Sequence, residues 1–228
     1  MFIRFLKKSS YLLVLAASFA AHADTTVDFF RAVRADNVSG VKSLIQRGFD
    51  PNTRDDKGQT GLLLALREPS PRVIDALLAS PKTNVEARNE NDESPLMLAA
   101  IKGQQDLVEK LIARDADINK PGWTPLHYAA SSGQVAIMKL LLDKYAFIDA
   151  PSPNGTTPLM MAAMYGSGAS VKLLLDEGAD TAMKNQQGMT ALDFAKRGNR
   201  PDAVEMLSAP KIVIPGAAPA ANPANGKW

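Results

Sequence analysis

The chain has 228 residues, of which 46% are hydrophobic and 22% charged, a composition that favours a packed domain over a disordered chain. It contains no cysteine, which excludes a disulfide framework, a thiol nucleophile and lipoprotein acylation. The formal net charge is +2, with 26 basic and 24 acidic residues.

The first 23 residues have the features of a secretory signal peptide. Three basic residues open the segment: Arg4, Lys7 and Lys8. An apolar run over residues 11–20 follows, and Ala21-His22-Ala23 supplies the small residues of a cleavage site before Asp24. The apolar run is shorter than the roughly 20 residues of a transmembrane helix. We therefore expect cleavage and a periplasmic or secreted protein; an uncleaved anchor is the alternative.

Cleavage would also change the charge balance. The leader carries three basic residues and no acidic one, so its removal takes the formal net charge from +2 to −1. A nucleic-acid-binding protein is expected to carry a basic stripe, and here that contribution leaves with the leader. We expect no nucleic-acid partner and no stable membrane insertion of the mature chain.

A period of about 33 residues runs through the remaining sequence. Five similar segments begin with a hydroxyl residue: Thr60, Ser94, Thr124, Thr157 and Thr190. A Thr or Ser side chain can cap a helix N-terminus, and the proline that follows three of them suits the first helical position. About 14 residues later comes a second apolar run, such as residues 140–142 or 173–175. Each period therefore predicts a pair of helices.

These segments resemble the ankyrin repeat, whose pattern includes T-P-L-H-x-A-A, then V-x-x-L-L and G-A-D-x-N. Residues 124–130 read Thr-Pro-Leu-His-Tyr-Ala-Ala and match closely. The resemblance implies an all-α solenoid of about six helix–turn–helix repeats with short β-hairpin fingers, over residues 24–208. Residues 209–228 are rich in Pro and Ala and are expected to form a flexible tail.

The connection between the third and fourth repeats is short. Asn119 and Thr124 are five positions apart, whereas the equivalent residues elsewhere are eight apart. Trp123 stands beside the shortened finger. It either packs against the neighbouring loop or acts as an aromatic anchor for a partner, a role in which Trp is common.

The resemblance further implies a concave groove formed by the first helix of each repeat. At the positions expected to face it, the chain has apolar or aromatic residues: Leu64, Leu98, Ile101, Tyr128, Met161, Met164 and Tyr165. Contiguous exposed apolar surface is typical of a binding site. With Trp123, these residues form the predicted partner-binding set. The alternative is that several of them belong to a half-buried core.

No constellation for catalysis is recognisable. The sequence has no H-E-x-x-H, P-loop or G-x-S-x-G motif, and its carboxylates are scattered. His127 stands at the position where the ankyrin histidine bonds neighbouring loop backbone, so the resemblance implies a structural role. We expect no enzyme, no cofactor and no metal site.

The sequence thus predicts a non-enzymatic scaffold, accessory or inhibitor protein in the periplasm that binds another protein, of unknown identity, through its concave face and fingers. One alternative belongs to another class. Met160, Met161 and Met164 share one helix, with Met189 in the next repeat, and soft thioether ligands select Cu(I). Because Met160 occupies the family's histidine position, repeat packing explains it without a metal.

Overall fold

The computed structural model describes residues 25–68 and 70–209. The predicted signal peptide (1–23) and almost all of the predicted tail lie outside the described residues. Within them, twelve helices follow one another, the first of which covers residues 25–34 (α1). The others are α2 (Val38–Gln46), α3 (Gly61–Arg67), α4 (Pro71–Leu78), α5 (Pro95–Ile101), α6 (Gln105–Ile112), α7 (Pro125–Ser131), α8 (Val135–Asp143), α9 (Pro158–Tyr165), α10 (Gly168–Asp176), α11 (Ala191–Arg197) and α12 (Pro201–Ser208).

The helices form six consecutive pairs, which confirms the predicted repeat and the all-α solenoid class. The chain divides into two units, the first ending at Pro95 and the second beginning at Leu96. In the first unit, α2 and α3 both pack against α4. In the second unit, the first helices of successive repeats, α7, α9 and α11, pack side by side, and each contacts the second helix of its own pair.

The predicted caps account for where the first helices begin. The Thr157 hydroxyl accepts a hydrogen bond from the Met160 amide at 3.4 Å, and Thr190 does the same for Asp193. Pro158 occupies the first turn of α9, where its missing N–H leaves no helical bond unmade. In both repeats the helix begins at the residue that follows the capping Thr.

Small residues allow the first helices of the second unit to lie close together. Ala129 and Ala130 in α7, and Ala162 and Ala163 in α9, are fully buried. Gly166 ends α9, and a Cβ on it would lie 2.3 Å from the Ala130 carbonyl oxygen. The close approach of α7 and α9 therefore depends on this glycine.

Asparagine side chains join one repeat to the next. In the second unit, Asn119 Oδ1 accepts from the Phe147 amide and its Nδ2 donates to the Tyr145 carbonyl, both at 2.8 Å. In the first unit, Asn52 makes the equivalent pair of bonds with Lys82 and Asn84. The asparagine at the end of the family pattern thus pairs backbone groups of the following repeat.

The fingers are tight turns. Four of them close with a backbone hydrogen bond between residues four apart, as from the Ser152 amide to the Thr156 carbonyl at 2.9 Å. Antiparallel bridging in the described residues is limited to Arg54 and Thr60. At the short connection, a cavity of about 170 Å³ lies among the residues Asn119, Lys120, Pro121, Gly122, Phe147 and Pro151.

Tyr145 departs from the helix-end pattern. Gly178, at the equivalent position of the next repeat, has φ +90°, which suits a left-handed helix end. Tyr145 adopts the same region with φ +66°, and its side chain is 84% exposed. A non-glycine residue in this conformation costs on the order of 1 kcal/mol.

None of the helices in residues 25–68 and 70–209 has the length and apolar character of a membrane span.

Candidate functional site

The predicted site residues of the second unit fall mainly on one side of its first helices. The opposite side of these helices is closed by the second helices and by buried leucines such as Leu126 and Leu159. We call the open side the first-helix face. Five of the predicted residues present surface there, either half-buried or exposed: Ile101, Tyr128, Met161, Met164 and Tyr165.

Exposure varies among these five residues. Tyr165 is 58% exposed and Ile101 is 39% exposed, which is unusual for large apolar side chains in this fold. Tyr128, Met161 and Met164 are half-buried. A half-buried ring or thioether keeps a fixed position while still offering surface, so the centre of the face is preorganised for contact.

The repeat period explains why these side chains lie together. Residues 33 positions apart on neighbouring first helices occupy equivalent places, so Tyr128, Met161 and Phe194 form one row. Met164 and Arg197 belong to a second row. Gly198, which follows Arg197, lies against Met164: a Cβ on this glycine would be 3.1 Å from Met164 Cγ. The ends of α9 and α11 are therefore close to each other.

Two residues of the face were not predicted from the sequence. Phe194 is half-buried and Arg197 exposed, both at register positions that the earlier repeats fill with predicted site residues. The 33-residue spacing assigns both residues to the face. The polar residues around them instead indicate a solvated terminal repeat, so the sequence alone does not distinguish the two interpretations.

Two predicted residues are placed in the core instead. Leu98 in the second unit is 7% exposed, and Leu64 in the first unit is 5% exposed. A leucine is too short to reach past its packed neighbours, whereas the tyrosine ring at the equivalent position 128 extends further. The half-buried-core interpretation holds for these two leucines.

Trp123 lies beside His127, just before α7. The two rings meet edge to face with centroids 5.2 Å apart, and Trp123 is half-buried. This contact gives Trp123 a packing role in the loop. It does not place the indole on the first-helix face.

His127 is fully buried and joins two repeats. Its Nδ1 accepts from the Thr124 amide at 3.2 Å, and its Nε2–H donates to the Thr156 carbonyl at 2.9 Å. Burial lowers the pKa of His127 from 6.5 to about 4. The nearby charge of Lys120 acts in the same direction, while hydrogen bonds to backbone carbonyls oppose it. The imidazole is therefore neutral at pH 7, in keeping with the structural role expected for it.

The methionines have uses within the fold. Met160 is 1% exposed and its Sδ accepts from the Thr157 amide at 3.4 Å, so it takes the place that His127 has in the previous repeat. Met189 Sδ lies 3.9 Å from Arg197 Nη1. Repeat packing thus accounts for Met160, one of the methionines on which the alternative of Cu(I) binding depends. The described residues hold no group of three or more His, Asp or Glu side chains arranged around a metal position.

The six consecutive helix pairs define a class of repeat proteins. The family model described as "Ankyrin repeats (3 copies)" matches residues 29–121, 70–152 and 147–215. The chain belongs to the ankyrin-repeat family. Proteins of this family are interaction scaffolds that bind other proteins, and the fold is generally non-enzymatic.

The curated relatives match this chain over a small part of their own length. Human neurogenic locus notch homolog protein 4 is 41% identical over 86 residues, which cover 38% of this chain and 4% of the relative. The rat ankyrin repeat and SAM domain-containing protein 6 is 32% identical over 109 residues, covering 46% of this chain and 12% of the relative. The chain thus spans about a tenth or less of the length of these two relatives.

Two solved bacterial structures are similar over most of their length. One is the complex of the Bdellovibrio bacteriovorus predatory endopeptidase Bd0816 with immunity protein Bd3460. The match has a TM-score of 0.69 and 30% identity, and covers 79% of this chain and 96% of the matched one. An ankyrin repeat domain from Acinetobacter baumannii AYE has a TM-score of 0.67 and 23% identity, covers 78% of this chain and 95% of its own, and supports the fold alone.

Proposed function

We propose that this chain is an exported, non-enzymatic binding protein that acts in the periplasm as a scaffold, accessory or inhibitor of one protein partner. The observation that carries the proposal is the first-helix face of the second unit. Its apolar and aromatic side chains remain accessible on packed helices, where polar residues would serve solubility better. Tyr165, at 58% exposed, is the clearest of them.

The solved bacterial complex supports an inhibitory form of this function. There, an immunity protein similar to this chain is in complex with an endopeptidase. By analogy, the partner of this chain is an envelope enzyme, such as a peptidase, that the producing cell must restrain. The sequence of the leader and the absence of cysteine support export, since a free thiol is a liability in an oxidising compartment.

The face is suited to binding through a few central residues. Tyrosine offers a large contact area with little rotamer freedom to lose, and methionine adapts to irregular surfaces. A standard protein interface buries about 1,600 Å² in total, and hot spots lie at its centre. Tyr128 and Met161 are adjacent in the central row of the face, so they are the residues whose loss should matter most.

The test is affinity capture from the periplasm of the producing bacterium, with the chain expressed with its own leader and a C-terminal tag. The Tyr128→Ala/Met161→Ser double variant should retain at least about tenfold less partner than the wild-type chain, because central contacts dominate affinity. The Tyr145→Ala variant is the matched control, since it removes an exposed tyrosine outside the face. Far-UV circular dichroism checks that all three proteins fold.

Equal retention by the double variant and the wild type would contradict a site on this face. The segment around Trp123 would then be the next surface to test. Retention of no specific protein by any of the three baits would contradict the binding function itself.

A further inference from the structure

Charge is distributed unevenly over the second unit. Its acidic residues lie almost entirely on the second helices and in the loops, whereas the first helices carry a single carboxylate, Asp193. That carboxylate is committed to a helix cap, because its Oδ2 accepts from both the amide and the hydroxyl of Thr190 at 2.8 Å. The first-helix face therefore presents no free acidic group.

Positive charge stands at one end of the face. Arg197 closes α11 at the register position that Met164 has in α9, and its side chain is exposed. Its Nη1 lies 3.9 Å from Met189 Sδ, and Arg197 has no ion-pair partner in the described part of the chain. The guanidinium thus keeps its hydrogen-bonding capacity for a group outside the chain.

A second cation stands towards the other end. Lys102 follows α5 at the register position that Tyr165 has in α9; it is exposed, and it also makes a polar contact within the chain. The next residue, Gly103, lies so close to the following repeat that a Cβ on it would meet Gln134 Oε1 at 2.6 Å. Lys102 therefore belongs to the same row of repeat turns as Tyr165.

Apolar and aromatic residues lie between these two cations, beside Ser131 and Ser132, which hold the positions equivalent to Met164 and Tyr165 in the α7 repeat. Along the face the order is Lys102, then Tyr128, then Met161 with Met164 and Tyr165, and finally Arg197. We propose that the face binds an extended segment of the partner that has an apolar centre and carboxylates on both flanks. The apolar centre lies over the tyrosines and methionines, and the carboxylates pair with Lys102 and Arg197.

This inference rests on the proposed function and adds the chemistry of the partner segment. Arginine pairs with a carboxylate through two parallel hydrogen bonds, so Arg197 can fix the register of the segment as well as attract it. An exposed charge pair adds modest affinity but strong selectivity, since a like charge at the same place is repelled. Among partner segments with equivalent apolar centres, the charges of the flanks therefore determine which segment binds.

The test is selection of a phage-displayed library of random 12-residue peptides on the full chain at low ionic strength. Enriched peptides should carry Asp or Glu on both sides of an apolar centre, at least about threefold above the frequency in the unselected library. The Lys102→Glu/Arg197→Glu variant should instead enrich Lys and Arg at these flanks. The control is Lys139→Glu/Lys144→Glu, which makes the same charge change at and after α8 and should keep the acidic preference.

The outcomes separate this inference from the function on which it rests. Apolar peptides that depend on Tyr128 and Met161 but carry no acidic preference would overturn the charge inference and leave the binding face in place. An acidic preference that survives Lys102→Glu/Arg197→Glu would overturn it as well. Enrichment that persists in Tyr128→Ala/Met161→Ser, or no enrichment at all, would contradict both proposals.

Discussion

Replacing Gly166 by alanine should lower the free energy of unfolding by about 3 kcal/mol or more, the largest effect we expect from a single added methyl group. The new Cβ would lie 2.3 Å from the Ala130 carbonyl oxygen and 2.9 Å from the Ala162 Cα and carbonyl oxygen. All of these are backbone atoms in fully buried parts of α7 and α9, so neither helix can move aside without opening the core. Urea denaturation followed by far-UV circular dichroism measures the loss.

Gly188→Ala provides the control for this substitution. Gly188 has φ +74°, and a Cβ on it would have no neighbouring atom within 4 Å. An alanine there would therefore have only the cost of a left-handed backbone conformation and no steric clash. We expect a cost of roughly 1 kcal/mol, the usual penalty of a left-handed alanine. Equal losses in the two variants would show that the close contact of α7 and α9 at Gly166 is not what limits stability.

The second large effect is a dependence of stability on pH that a single residue controls. Burial keeps the folded-state pKa of His127 at about 4, below its unfolded value of 6.5. Above pH 6.5 the imidazole is neutral in both states, and its contribution to stability is fully present. As the pH falls below 6.5, the unfolded chain gains a proton that the folded chain resists, so stability is lost down to about pH 4. The total loss is about 3 kcal/mol, of which about 2 kcal/mol falls between pH 7 and pH 5.

His127→Met isolates this contribution, because methionine fills the same position in the next repeat as Met160. At pH 7 the variant should be less stable by about 1 kcal/mol, the net value of the lost Nε2–H hydrogen bond to Thr156. Its free energy of unfolding should then fall less than that of the wild type between pH 7 and pH 5, so that at pH 5 the variant is the more stable of the two by about 1 kcal/mol. Parallel pH profiles for the two proteins would show that His127 titrates normally in the folded state.

The repeat architecture could be predicted from the sequence because it depends on local signals that recur. Thr157 and Thr190 cap their helices as predicted, and Pro158 lies in the first turn as predicted. Met160 was predicted to pack at the histidine position, and its contact with Thr157 confirms that. The signal peptide and the tail remain predictions, since both fall on residues that the structure does not describe.

Exposure of individual side chains was harder to predict. The pattern places Leu98 and Tyr128 at equivalent positions, yet the leucine is buried and the tyrosine keeps surface, because side-chain length decides what reaches past the neighbouring helix. The burial of Lys120 was still harder to predict from the sequence. Lysine is ordinarily solvated, but here its side chain is 1% exposed and Nζ donates to the Pro121 carbonyl at 3.1 Å. The shortened finger creates that environment, and no periodic pattern encodes it.

Site-specific photo-crosslinking tests most directly whether the first-helix face of the second unit binds the partner. A benzoylphenylalanine residue replaces Tyr165 on the face in one protein and Tyr145 outside it in another, since both tyrosines are exposed, at 58% and 84%. Each protein is irradiated in living cells of the producing bacterium, and adducts are identified by mass spectrometry. We expect one abundant protein adduct from position 165 and little of it from position 145. An adduct of the same protein formed from position 145 and not from position 165 would show that the partner binds outside the first-helix face.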